Sequence, residues 1–293
     1  MCLVSDWEGG RRTRDMNFDE FTKLIDEAYG LVEVKIQGLG EPLMQGDDFF
    51  KMISYARARH IWVRSSTNGS LLYLNNNYKK LIDNGINELQ ISLDGATADV
   101  FESIRRGSKF ANVVKNCELI NQYCRVKNVR VTKAWALVQK KNAHQLTDII
   151  NLASKLGFQD LVFSFSIENW GLEDWQITNN KVETNVQQDR DLIKGLISHA
   201  DNLSMRLGFW ITEKKYSSSS KETLCPWPFE RALVSSDLKT VPCCIITTPD
   251  VFEFEVGSGK SFVNIWQGEA YRKFRQAHIN GEIPEVCRWC YDD

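Results

Sequence analysis

The chain has 293 residues, 43% of them hydrophobic and 25% charged, with a formal net charge of -2. That length holds one large domain, or one domain and a small appendage, and the near balance of charge argues against nucleic acid or an anionic membrane surface as partner. No apolar run approaches the roughly 20 residues of a membrane helix, and residues 1–15 lack the apolar centre of a signal peptide, so a cytoplasmic protein with no membrane partner is expected.

Asn17 reads as a helix N-cap, with Asp19 and Glu20 in the first turn. Phe18, Phe21, Leu24, Ile25 and Ala28 then repeat at helical spacing up to Gly30. Residues 32–37 read as a strand in which Val34 and Ile36 alternate with Lys35 and Gln37. The strand runs into Gly38-Leu39-Gly40-Glu41-Pro42, where glycines let the backbone come close to a ligand and proline ends the pairing. Helices are predicted over 47–59, 70–83, 97–123, 143–156 and about 185–206. Strands are predicted over 60–66, 88–93, 129–138 and 160–167. This alternation predicts an α/β fold, a parallel sheet with helices outside. A doubly wound sheet and a barrel both fit.

Polar residues recur where strands end: Gly40-Glu41, Thr67-Asn68, Ser92 and Asp94, and Gln139. Parallel α/β folds hold ligands at that end of the sheet. The polar linker Ser217–Ser220 separates this region from a tail rich in cysteine. There Cys225-Pro226-Trp227-Pro228 precedes a predicted strand at 232–236, a turn at 237–239 and Val241-Pro242-Cys243-Cys244. A helix over about 268–279 follows, then Cys287-Arg288-Trp289-Cys290. With no export signal, this clustering favours metal or cluster ligation over disulfides. Spacing alone suits zinc as well as an iron–sulfur cluster. Cys117 and Cys124, two turns apart on a helix, read as core residues. His278 reads as a structural partner, His60, His144 and His199 as isolated, and Trp170 and Trp175 as apolar filler.

Gly38-Leu39-Gly40-Glu41-Pro42 resembles the GGEP loop of radical S-adenosylmethionine (SAM) enzymes, which holds the methionyl amino group of SAM. Gln90-Ile91-Ser92-Leu93-Asp94-Gly95 and the segment Phe101 to Gly107 also resemble that family. The resemblance implies that Ser92 contacts SAM and that Arg105 or Arg106 pairs with its carboxylate, for which a guanidinium fork is suited. Thr67-Asn68-Gly69 matches the loop after the family's third strand, and Val138 to Asn142 the end of its fifth. The tail from Cys225 to Cys290 resembles the SPASM domain, an auxiliary-cluster module.

These resemblances imply a partial (β/α)6 TIM-like barrel over residues 1–215 and a small SPASM domain over 216–293. The implied cofactors are SAM, a [4Fe–4S] cluster that binds it, and one auxiliary [4Fe–4S] cluster. Gly38, Gly40, Glu41, Ser92 and Arg105 would form the SAM shell, Cys2 would ligate the SAM cluster, and Cys225, Cys243, Cys287 and Cys290 would hold the auxiliary one, with Cys244 a spare or a substitute for Cys243. Two departures stand out. Five strands are counted, as though the family's first were missing. Cys2 stands where the third cysteine of a CxxxCxxC motif belongs, so the chain as given opens inside that motif. The implied function is cleavage of SAM to a 5′-deoxyadenosyl radical that takes hydrogen from a peptide or small-molecule substrate. A reductant such as flavodoxin or ferredoxin would supply the electron. The alternative is a truncated, incompetent fragment retaining one iron–sulfur or zinc module.

Overall fold

The structure is a computed structural model that describes residues 14–38, 40–165, 167, 173–210, 216–244, 257–258 and 261–291. Cys2, Leu39, Trp170 and the side chain of Trp175 lie outside the described residues, as does anything upstream of Cys2 where a further strand was expected. The chain divides into two compact units. One is drawn from Leu31–Ile167 and Asn180–Ile211, the other from Gly9–Gly30, Glu168–Asn179 and Thr212–Asp293.

The first unit is a sheet of six parallel strands: β1 (Glu33–Lys35), β2 (Trp62–Thr67), β3 (Glu88–Ser92), β4 (Thr132–Leu137), β5 (Asp160–Ser164) and β6 (Arg206–Trp210). Their order across the sheet is their order in the chain. A doubly wound sheet reverses direction at a switch point, so that alternative falls. Right-handed crossovers repeated without reversal put every connecting helix on one face. The other face must then be filled by the sheet's own side chains, as in a barrel. Leu89, Ile91, Ala134, Ala136, Leu161 and Phe163 are all buried, and β4 alternates strictly between buried and half-buried positions.

The sequence reading found five of these strands and missed β6, extending a helix to about 206 instead. β6 pairs with β5 from Asp160 opposite Arg206 to Ser164 opposite Trp210. Its signal is weak because its two ends are exposed and Gly208 breaks the apolar run. A Cβ at Gly208 would stand 3.4 Å from Val162 Cγ2.

The connecting helices are α2 (Asp47–Ala58), α3 (Asn77–Asp83), α4 (Ala98–Ile104), α5 (Phe110–Lys127), α6 (Leu146–Lys155) and α8 (Arg190–Asn202), while α1 (Phe18–Glu27) and nearly all of α7 (Glu173–Asn180) fall in the second unit. One long helix was expected over 97–123, and two are found. The break falls at Arg105, and Gly107 at φ +81° turns the chain left-handed between them, a conformation glycine adopts at no steric cost.

The second unit holds α1, the short helix α9 (Trp227–Glu230), an antiparallel sheet of β7 (Leu233–Val234), β8 (Lys239–Val241) and β9 (Gly257–Ser258), and the helices α10 (Phe262–Trp266) and α11 (Glu269–Ile279). A capping box starts α1: Glu20 N donates to Asn17 Oδ1 at 2.9 Å and Asn17 N to Glu20 Oε2 at 3.0 Å, satisfying two N–H groups the helix cannot pair itself. At the other end of α1, Glu27 Oε2 accepts from Phe262 N at 2.7 Å. Tyr271 and Ile265 form the buried centre, with Ala232 and Trp266 packed against it. The Arg275 guanidinium lies 4.2 Å from the Trp266 ring centre and 4.3 Å from that of Tyr271. Among the described residues no helix is long and apolar enough to cross a membrane.

Candidate functional site

The loops leaving β1, β2, β3 and β4 are joined by a network of buried polar groups. Glu41 sits in the loop after β1. Its Oε1 accepts from Thr67 Oγ1 at 2.6 Å and Leu43 N at 3.4 Å, and its Oε2 accepts from Asn68 N at 2.8 Å. The carboxylate thus pins its own loop to the end of β2. Burial pushes the Glu41 carboxyl up, partly offset by the Asn68 N–H, the Thr67 hydroxyl, the Leu43 N–H and the Arg105 charge. Beyond β2, Asn68 Oδ1 accepts from Ser70 N at 2.8 Å. Gly69 follows at φ +78°, with Val113 and Ile91 side chains 3.2 and 3.3 Å from where a Cβ would be. Buried Asn116 on α5 donates to Gly69 O at 2.8 Å.

Asp94 is the second hub. It is wholly buried just after β3. Its Oδ1 accepts from Leu137 N at 2.8 Å, tying it to the end of β4. Its Oδ2 accepts from Arg105 Nε at 2.6 Å, and its main-chain O accepts from buried Asn142 Nδ2 at 2.9 Å. Asn142 in turn donates to Leu137 O and accepts from Gln139 N. The following Gly95 is required by space: a Cβ there would stand 2.8 Å from Phe101 N. Ser92 is the half-buried last residue of β3. Gly38 and Gly40 are exposed. No described atom would lie within 4 Å of a Cβ at Gly40, so main-chain groups there are open to an incoming amino acid moiety. That fits the amino end of SAM.

The structure therefore gathers Glu41 and Arg105 and leaves Gly38 and Gly40 facing outward. Glu41 and Arg105 are held by protein partners: Glu41 by Thr67, Asn68 and Leu43, and Arg105 through its Nε by Asp94. Asp94, Asn116 and Asn142 were not singled out as site residues. Asp94 and Asn142 were visible in the segments that resemble the family, whereas Asn116 was visible only as a polar residue in apolar surroundings, which folds buried only with partners.

In the second unit, Cys225 is buried and Cys243, Cys244, Cys287 and Cys290 are half-buried. Among the described residues no cysteine forms a disulfide. Burial pushes the Cys287 thiol far up, and Cys243, Cys225 and Cys290 each push it further. Burial, then Cys243, also raises Cys225, against the lowering effect of the Trp227 N–H, the Tyr216 hydroxyl and Arg231. Cys225, Cys243 and Cys290 thus all lie within electrostatic reach of Cys287. Among the described residues no three Cys, His, Asp or Glu side chains are drawn together at the spacing of a single ion. Cys225 and Cys287, poor acids on their own, become good ligands once a cation compensates their charge. The donor set fits a cluster with four thiolate ligands.

Cys117 and Cys124 are core residues. Burial raises their thiols to about 12 and about 11, respectively. His278 is buried, its Nδ1 2.9 Å from Phe274 O. His199 Nε2 lies 2.7 Å from Asn151 Oδ1.

A parallel α/β sheet with a polar strand-end site, in a chain that also carries a four-cysteine module, defines a cluster-dependent enzyme of the barrel class. The chain belongs to the radical SAM superfamily: residues 2–153 match that family's model, and residues 225–291 match SPASM, an iron–sulfur cluster-binding domain. SAM and [4Fe–4S] clusters are the cofactors of these two domains. Mycofactocin maturase MftC of Mycolicibacterium smegmatis is 26% identical over 96% of this chain and 69% of its own length. PqqA peptide cyclase of Bradyrhizobium diazoefficiens is 23% identical over 96% of this chain and 72% of its own. Among solved structures, Streptococcus suis SuiB bound to S-adenosylmethionine superposes with a TM-score of 0.65 at 13% identity, covering 90% of this chain and 61% of SuiB. The chain therefore spans about six tenths of SuiB.

Proposed function

We propose that this protein modifies a peptide by radical chemistry, taking a hydrogen atom from a peptide C–H bond. The observation that carries the reading is the braced strand-end network around Glu41 and Asp94, set beside relatives named as a maturase and a peptide cyclase and beside SuiB, also solved with its precursor peptide SuiA. When bound, the SAM cluster supplies the electron that cleaves SAM to methionine and a 5′-deoxyadenosyl radical.

The protein's own part is positioning. Exposed main chain at Gly38 and Gly40 receives the SAM amino group. Glu41 fixes that loop to β2 rather than touching SAM. Ser92 would contact SAM, and Arg105, held at Nε by Asp94, would offer its terminal nitrogens to the SAM carboxylate. Cys2 would ligate the SAM cluster. Cys225, Cys243, Cys287 and Cys290 hold the auxiliary cluster, so the working boundary between core and module lies near 215/216. A flavodoxin or ferredoxin would supply the electron in a cytoplasmic setting.

Small-molecule chemistry is the second reading. It is supported by GTP 3′,8-cyclase of Clostridium perfringens, 31% identical over 48% of this chain and 42% of its own length. The test is anaerobic reconstitution with iron, sulfide, SAM and dithionite, scored for 5′-deoxyadenosine, with a candidate precursor peptide carrying deuterium at its side chains. Deuterium in 5′-deoxyadenosine supports the peptide reading. 5′-Deoxyadenosine without deuterium from any peptide offered sends the search to small molecules, and none at all sinks the SAM-cleavage reading for this chain.

A further inference from the structure

Two tryptophans on the parallel sheet belong neither to the SAM shell nor to the buried core. Thr132 on β4 faces the helices, because its Oγ1 donates to Asn121 Oδ1 on α5 at 2.5 Å. Successive side chains of a strand point to opposite faces, so Lys133, Trp135 and Leu137 face away from the helices, onto the side that a barrel encloses. By register, Trp135 lies beside Ser92 on β3 and Val162 on β5, and Val162 beside Gly208 on β6. One row nearer the strand ends, Leu137 lies beside Ser164, and Ser164 beside Trp210. The Trp135 and Trp210 ring centres are 6.1 Å apart, with the planes at 53°, so the two indoles meet across β5. Trp135 is half-buried, and Trp210 is 48% exposed.

Charge on this face stops short of the two rings. Lys133, Asp160 and Arg206 stand one row further from the strand ends. Lys133 pairs with Glu88 at 2.6 Å, and Asp160 with Arg206 and, at 2.9 Å, with Arg130. Arg64 pairs with Glu33 at 3.1 Å. The two rows that hold the tryptophans contain only Ser, Val, Leu, Gly and Trp. A charged group laid against them would lose hydration and meet no counter-charge in that wall. A flat or branched apolar side chain would cover exposed indole instead, which is favourable by burial and, for an aromatic ring, by pairing. The wall begins next to Ser92, so its occupant would lie beside SAM.

We propose that Trp135 and Trp210 form the specificity-determining wall of the substrate site and select an uncharged apolar or aromatic side chain on the peptide residue presented to SAM. This rests on the peptide-modifying reading above.

The experiment is fluorine nuclear magnetic resonance of the anaerobically reconstituted chain, carrying 5-fluorotryptophan, in the presence of SAM. Trp135→Phe and Trp210→Phe each assign one signal by its loss. N-acetyl-phenylalanine amide is expected to shift both signals, while N-acetyl-lysine amide and N-acetyl-aspartate amide at equal concentration leave them in place. Trp210→Leu should weaken the phenylalanine probe about two- to tenfold, the range of an aromatic pair, with SAM affinity by equilibrium dialysis unchanged. Trp62→Leu, at a second tryptophan that is 48% exposed but starts β2, leaves the probe's affinity where it was. Equal shifts from the charged probes, or no shift from the phenylalanine probe, overturn the proposal. So does a loss of SAM affinity in Trp210→Leu, which would make the wall a seat for adenine. The shifts on the parent chain decide the matter even where Trp210→Leu folds poorly. None of these readouts needs SAM cleavage, so a chain that yields no deuterated 5′-deoxyadenosine from any peptide sinks the peptide reading separately.

Discussion

At the strand ends every carboxylate oxygen of Glu41 and Asp94 has a protein donor. In the tail, by contrast, Cys287 and Cys225 are surrounded by other thiols and by burial, each making ionisation harder. The first site is organised by the polypeptide alone and stands ready for a ligand. In the second, burial and neighbouring thiols outweigh what the protein offers the Cys225 and Cys287 sulfurs, and a metal centre would supply the missing positive charge. Preorganisation is thus divided: the SAM region is shaped by folding, and the tail by folding together with assembly of its cluster.

Metal removal draws that contrast most sharply. Cys287→Ala is expected to lose about four irons per chain, and amides of β7, β8 and α11 should lose hydrogen-exchange protection while β2–β5 keep theirs. Equal loss in both regions would break the contrast. Next in size is Asp94→Ala. It removes the acceptor for Arg105 and Leu137, and because Arg105 is 27% exposed the cost is set at the low end for a broken buried pair, about 3 kcal/mol, read by urea denaturation. Gly95→Ala drives a methyl toward Phe101 N and is expected to cost roughly 1–3 kcal/mol as overpacking, also read by urea.

The Glu41 carboxyl sharpens the contrast through pH. Burial, its largest influence, lifts it above its ordinary 4.5, so between 4.5 and the raised value the folded chain binds more protons than the unfolded one. Stability from this group is full below 4.5 and is lost as pH rises through the folded value. Glu41→Gln lacks that dependence. Its stability relative to the parent should therefore grow between pH 4 and pH 8, and a constant difference would show that burial does not dominate at Glu41. Smallest of all is Lys273→Ala, which breaks an exposed pair with Glu269 and should leave the urea midpoint where it was.

The repeating strand–helix pattern was legible because Val63, Ile91, Ala134 and Leu161 sit in short apolar runs bounded by turn residues. β6 was not, because Gly208 and the exposed ends Arg206 and Trp210 give it no alternation to read. The polar strand ends were visible as residue types, and Glu41 stood out between two glycines. Its partners did not, since Thr67 and Asn68 reach it from another strand. The Asp94–Arg105 pair was hidden for a similar reason. Helical periodicity ran unbroken through 97–123, and only the turn at Gly107 reveals that Arg105 ends one helix and can swing back to the sheet. In the tail, the spacing of Cys287 and Cys290 suggested ligands, but it carried no hint that Tyr216 N would donate to Cys290 O or that Tyr291 Oη would accept from Cys225 N.

One contact bears on how the chain is made. Glu27, at the end of α1, accepts its hydrogen bond from Phe262, 235 positions later. A ribosome delivers α1 well before α10. The bond to Phe262 therefore cannot form until all six strands of the parallel sheet have been made. For that whole interval α1, with its buried-face residues Phe21 and Ile25, lacks this late partner. A nascent chain stalled before Phe262 should be one on which α1 is still readily cut by protease.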